Sequence, residues 1–118
     1  MPGEERRRVE VAFTPEFKRN IRRLARKYRH IRSDVAPVIR RIERGETPGN
    51  QIREAGHTVF KVRIKNSDAQ RGKSGGYRML YYLKTPERVI LVTIYSKTEQ
   101  GDITVEEVRR IIRAHEAG

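Results

Sequence analysis

The chain has 118 residues, which suits one domain with one core and leaves no room for two. Its 27 Lys and Arg against 15 Asp and Glu give a formal net charge of +12, which points to nucleic acid or an acidic protein as partner and says nothing about fold. There is no cysteine, so a disulfide framework, a thiol nucleophile and a thiolate metal site are excluded; the charged start lacks the apolar stretch of a signal peptide, and no run reaches the ~20 apolar residues of a membrane span. The expectation is a cytoplasmic chain without membrane contact, one domain over residues 1–118 with residues 1–7 flexible.

Val9, Val11 and Phe13 alternate with polar or small residues ahead of Thr14-Pro15, an N-cap followed by a first-turn proline, so a short strand runs into a helix. Phe17, Ile21, Leu24 and Tyr28 then recur at helical spacing, with Lys18, Arg19, Arg22, Arg23, Arg26 and Lys27 on the remaining faces. After a short connection, Ser33 is placed to cap a second helix whose apolar stripe is Val35, Val38, Ile39 and Ile42, and Gly45 stops it. Thr47-Pro-Gly-Asn50 is a turn into a strand from Thr58 to Lys65. A glycine-rich loop from Asn66 to Gly76 leads to a second strand, Tyr77 to Leu83. Thr85-Pro-Glu-Arg88 then turns into a third, Val89 to Tyr95. Gly101 breaks the pattern, and Thr104-Val-Glu-Glu107 fits a capping box that opens a last helix with Val105, Val108, Ile111 and Ile112 on its apolar side.

The order β-α-α-β-β-β-α predicts an α+β fold. A small antiparallel sheet, the N-terminal strand plus a three-stranded meander, carries a helical hairpin and a C-terminal helix on one face and leaves the other at least partly open. Strand alternation sends Phe60, Val62 and Ile64 to one side and Lys61, Arg63 and Lys65 to the other. Alternate residues lie roughly 7 Å apart, so three cations in a row cost stability unless a polyanion or acidic neighbours compensate them. Arg78 places its own set, with Leu80 and Tyr82, on that same open side. On the third strand simple alternation groups Ile90, Val92 and Ile94 against Val89, Leu91, Thr93 and Tyr95.

Lys61-Val-Arg63, the run from Gly72 to Tyr82 (Gly-Lys-Ser-Gly-Gly-Tyr-Arg-Met-Leu-Tyr-Tyr) and Ile94-Tyr-Ser-Lys-Thr-Glu-Gln100 resemble the core motifs of the RelE/HigB family of bacterial toxins in order, spacing and residue type. The resemblance implies a RelE-like fold and ribosome-dependent cleavage of mRNA in the A site, held in check by a cognate antitoxin protein. Carried over residue by residue, it makes Lys61, Arg63 and Arg78 the RNA-contacting and transition-state-stabilising cations, with Arg78 foremost. Lys97 falls where a further functional basic side chain is expected, Tyr95 and Glu99 are candidates for proton transfer, and Lys65, Arg71 and Lys73 are candidates for RNA contact. The chemistry suits these residue types: when a ribose 2′-hydroxyl attacks its neighbouring phosphate, charge builds on the non-bridging oxygens, and fixed Arg and Lys donors lower that barrier without calling for a metal or another cofactor. A tyrosine or lysine acts as base there only where adjacent cations depress its pKa. In the RelE pattern an arginine in the final loop and a tyrosine shortly after it take part in catalysis; Thr98 and Thr104 stand at those places here, and the HigB-like variant with its Tyr-x-Lys-x-Glu ending matches better.

Other readings stay open at this level. Charged strand faces also serve to discourage edge pairing, and ParE-like relatives share the fold while inhibiting DNA gyrase. A non-catalytic RNA-binding module or an inactivated toxin carries the same charge pattern. Gly72-Lys-Ser resembles the end of a phosphate-binding loop, but Ser67 stands where the required glycine would be. Tyr77, Tyr81, Tyr82 and Tyr95 either stack on bases or pack as bodies with wet hydroxyls. His30, His57 and His115 fall in separate elements without ligand spacing, which supports no metal site.

Overall fold

In the computed structural model, which describes residues 8–69 and 75–118, Thr14 shows how the first elements are joined. Its hydroxyl accepts from the Phe17 backbone N–H at 3.0 Å, capping a helix, and donates to the Val92 carbonyl at 2.7 Å, tying that helix start to a distant strand. The chain before it is β1 (Glu10–Phe13), and Pro15 opens α1 (Pro15–Lys27), where its missing N–H costs nothing. A tight connection leads to α2 (Ile31–Glu43), which starts two residues ahead of the expected cap. His30 is the N-cap without a side-chain bond, and Ser33 instead donates from inside the first turn to the His30 carbonyl at 3.0 Å.

Four further strands follow: β2 (Asn50–Ile52), β3 (Val59–Ile64), β4 (Tyr77–Thr85) and β5 (Arg88–Ser96), and then α3 (Val105–Ala117). The sheet order is β1-β5-β4-β3-β2. The expected meander is β3-β4-β5, and β2 is an addition, a three-residue edge strand antiparallel to β3. β1 pairs parallel to β5, so the sheet is mixed rather than antiparallel throughout. A tight hairpin forces antiparallel pairing, but β1 reaches β5 through the whole intervening chain, and no turn constrains its direction.

The helices lie on both faces, not on one. Phe17, Leu24, Ile31, Val35 and Ile42 of the helical hairpin pack with Val62, Ile64, Tyr77, Met79, Tyr81, Leu91 and Ile94. Val108, Ile111 and Ile112 of α3 pack with Val59, Leu80, Tyr82, Ile90 and Val92 on the opposite face. β4 and β5 are apolar on both sides, and each fully buried large side chain contributes about 1.5–3 kcal/mol, so both faces demand a cover. The capping box at the start of α3 is half formed: Thr104 accepts from the Glu107 N–H at 3.1 Å, while Glu107 turns its carboxylate to Arg110. Near its end Glu116 meets Lys84 at 2.8 Å and accepts from the Tyr82 hydroxyl, which fixes α3 over one end of β4. The other end of that face, where β3 carries Lys61 and Arg63, is left uncovered.

Residues 1–7 lie outside the described residues, as do Arg71 and Lys73. Among the described residues no helix is long and apolar enough to cross a membrane.

Candidate active site

Two features of the strands bring the cations together. Arg63 stands directly opposite Arg78 in the β3–β4 register and Lys61 opposite Leu80, so all three basic side chains leave the sheet on the α3 side. On β5 a bulge leaves Val92 without a partner between the pairs Leu80–Thr93 and Tyr81–Leu91. That extra residue reverses the alternation beyond it. Ile90 and Val92 face α3, but past the bulge it is Tyr95 that faces that side and Ile94 that joins Leu91 under the hairpin. The grouping read from simple alternation is corrected here, and the bulge is the reason. Tyr95 is thereby the β5 partner of Arg78.

Gly76 shapes the approach to β4. Its φ is +58°, and a Cβ there would lie 2.6 Å from the Ile64 carbonyl oxygen, so only glycine fits. Its own carbonyl accepts from the Lys97 N–H at 2.9 Å, which brings the end of β5 beside the start of β4. The loop that ends at Gly76 is anchored at its other end to α2. Asp68 accepts from the His30 backbone N–H at 2.8 Å and contacts its Nδ1 at 2.7 Å, and Asp34 accepts from the Ser67 N–H at 2.9 Å. That hydrogen bonding to His30 holds the Asp68 carboxyl below its usual range.

Arg78 is 8 % exposed, and its guanidinium donates to the Gly75 carbonyl at 2.9 Å. The same nitrogen also reaches the Tyr77 carbonyl at 3.4 Å. Arg63 and Lys65 are exposed, and no carboxylate among the described residues lies within ion-pair distance of either. Lys61 and Lys97 converge from different elements on one carboxylate oxygen, Oδ1 of Asp102, each at 3.5 Å, and the Tyr95 hydroxyl donates to the same oxygen at 3.4 Å. Lys61 is the main cause, with Lys97, of the lowered pKa of Asp102. Tyr95 also accepts from the Ile103 N–H at 3.3 Å, and burial, ahead of every other cause, pushes its hydroxyl up.

The structure thus gathers Lys61, Arg63, Arg78, Lys97 and Tyr95 at one end of the α3-side face. Glu99 is held elsewhere: its carboxylate meets Lys27 at 3.2 Å, Arg23 at 3.7 Å and the Tyr28 hydroxyl at 3.2 Å, all on the α1 side. Tyr77, Tyr81 and Tyr82 are fully buried and Tyr95 is 2 % exposed, so none of the four offers a ring face to a base. Burial raises the first three hydroxyls far above the ordinary phenol value. Asp102 was not foreseen, because it falls in the loop after Gly101 with no pattern around it. The one signal in the chain was its place five residues after Lys97, on a segment that must turn back over the sheet to start α3. Among the described residues no group of three or more His, Cys, Asp or Glu is placed to hold a metal ion.

A five-stranded mixed sheet with helices on both faces, which brings Lys61, Arg63 and Arg78 together at one end, defines a small α+β domain with a cationic site. The family model described as the RelE toxin of the RelE/RelB toxin-antitoxin system matches residues 17–116. The chain therefore belongs to the RelE toxin family, and a cognate antitoxin is the partner that this membership implies. No curated protein matches the chain.

Proposed function

We propose that this toxin is a ribosome-dependent endoribonuclease of the HigB-like kind, acting in the cytoplasm on mRNA in the ribosomal A site. The observation that carries the reading is the Arg63–Arg78 pair, two like charges held opposite each other beside Lys61 at the uncovered end of the sheet. Such a pair disfavours folding unless a ligand's negative charge is the counterpart. In the reaction the ribose 2′-hydroxyl loses its proton to water as its oxygen bonds to phosphorus, the bond to the 5′-oxygen breaks, and that oxygen takes a proton from Lys97, leaving a cyclic phosphate and a 5′-hydroxyl. Arg78, rigidly held through Gly75, and Arg63, free to close, meet the charge that grows on the non-bridging oxygens. Lys61 grips the strand, and Lys97 is the proton-bearing group for the departing 5′-oxygen. Lys65, with Arg71 and Lys73 on the loop, extends the contact along the RNA backbone.

Tyr95 serves in this reading as a hydrogen-bonding pin, since burial raises rather than lowers its hydroxyl and its bonds go to Asp102 and Ile103. Glu99 positions the turn after β5 against α1 rather than moving a proton. The antitoxin masks the cationic face with acidic or apolar elements. The test is a reconstituted translation reaction with end-labelled mRNA, run with the intact protein, with Arg63→Ala, with Arg78→Ala and without ribosomes. Cleavage at A-site codons that needs ribosomes and both arginines supports the reading. Blocked growth with intact mRNA rejects it in favour of a gyrase-directed or passive binding role.

A further inference from the structure

We infer that the Asp102 carboxylate is the resting occupant of a phosphodiester position between Lys61 and Lys97, and that an RNA phosphate binds there by displacing it. The inference rests on the RNA-directed reading above and gives that site a built-in brake. One oxygen of Asp102 receives two ammonium groups and a hydroxyl, from β3, from the turn after β5 and from β5 itself. A non-bridging phosphate oxygen asks for the same set of donors.

The hold on that carboxylate is loose. Both ammonium contacts are 3.5 Å, whereas charge-assisted bonds of this kind close to roughly 2.7–2.9 Å. The Asp102 side chain is 56 % exposed while Lys61 and Lys97 are 28 % and 30 % exposed, so the anion faces solvent and the cations sit beneath it. Exposed ion pairs are weak and screened by salt. Residues 101–104 belong to no helix or strand, and a Cβ on Gly101 would meet nothing within 4 Å, so the carboxylate can swing away without breaking an element. Nearby Arg63 and Lys65 carry no carboxylate among the described residues. An incoming polyanion engages them first and then exchanges for Asp102, while a lone small anion gains too little to make the exchange.

The test uses the full chain as wild type, Asp102→Asn, and Glu10→Gln, which makes the same charge change on exposed β1. The probes are inorganic pyrophosphate, by calorimetry, and a single-stranded RNA oligonucleotide with 2′-O-methyl riboses, which cannot be cut, by anisotropy across a salt series. Asp102→Asn keeps an acceptor for Tyr95 and is expected to bind both probes about threefold to tenfold more tightly, as removal of two exposed ion pairs allows. Its salt dependence for RNA is expected to steepen by about 0.7–1.4 in log–log slope, because two lysines then release counterions. Glu10→Gln is expected to behave as wild type, and the gain is expected to vanish in a Lys61→Met/Lys97→Met background. Unchanged or weaker binding by folded Asp102→Asn overturns the inference, as does an equal gain from Glu10→Gln or a gain that survives loss of the lysines. Asp102→Ser gives the same reading should Asp102→Asn fail to fold. Tighter pyrophosphate binding together with mRNA that is never cut removes only the nuclease reading; cut mRNA with unchanged binding removes only the role of Asp102.

Discussion

Arg63 and Arg78 face each other across the β3–β4 ladder, yet one is exposed and the other is 8 % exposed and tied to the Gly75 carbonyl. Like charges directly opposite on a sheet cost roughly 0.2–1 kcal/mol. Replacing Arg63 with threonine, a good strand former, is therefore expected to stabilise the fold while impairing function. A thermal melt should rise by about 1–5 °C for a domain of this size, and mRNA cleavage should fall by tenfold or more. A variant that is both less stable and fully active would remove the functional reason for the pair.

Arg78 differs because it is also a structural donor. Arg78→Ala leaves the Gly75 carbonyl without its partner and is expected to cost about 1–3 kcal/mol in denaturant unfolding. Arg78→Lys keeps the charge but not the planar fork, and its cleavage rate is expected to stay at least about tenfold below wild type. Full activity in the lysine variant would show that charge alone suffices there.

Gly76→Ala tests the backbone that carries the site. With φ at +58° and the Ile64 carbonyl 2.6 Å from the added carbon, the substitution is expected to destabilise by about 1–3 kcal/mol. It should also loosen the Lys97 N–H contact, visible as faster amide exchange at Lys97. Unaltered exchange and stability would mean that the chain reaches Tyr77 by another path.

Glu116 makes the attachment of α3 dependent on pH. Lys84 first, and then Tyr82, hold its carboxyl below the ordinary glutamate value, so its contribution is fully present above about pH 4.5 and is lost as pH falls through the lowered value. Thermal melts should show the acid side of the stability profile flattening in Glu116→Gln, with the two proteins converging at the lowest pH. Parallel profiles would place the acid sensitivity elsewhere.

Glu99→Gln separates positioning from proton transfer. Its carboxylate meets Lys27, Arg23 and Tyr28 and so supports the turn after β5 from α1. Cleavage at saturating ribosomes is expected to stay within about threefold of wild type, with no change in the shape of its pH profile. Loss of one limb of that profile would return Glu99 to the chemistry.

The reach of the sequence can be judged from particular residues. Thr14-Pro15 and Thr104 announced their helix starts because a cap is a local bargain between one side chain and the next backbone N–H groups. The start of α2 lies three residues ahead of the position that Ser33 suggests, because His30 caps the helix with its backbone alone. Lys61, Arg63 and Arg78 could be placed on one face by alternation, which holds as long as a strand stays regular. Tyr95 could not, since the bulge at Val92 arises from pairing with β4 and leaves no mark in residue type.

By itself, then, the sequence determined the order of the helices and the meander, the apolar stripes and the cationic face of β3, because each depends on neighbours within a few positions. Only the tertiary structure decided that β1 runs parallel to β5, that α3 covers the face opposite the hairpin, and that Asp102 sits between Lys61 and Lys97 while Glu99 turns to α1. Those outcomes are set by contacts between residues far apart in the chain, where two apolar sheet faces compete for cover and several cations compete for few carboxylates. No local pattern carries the result of that competition.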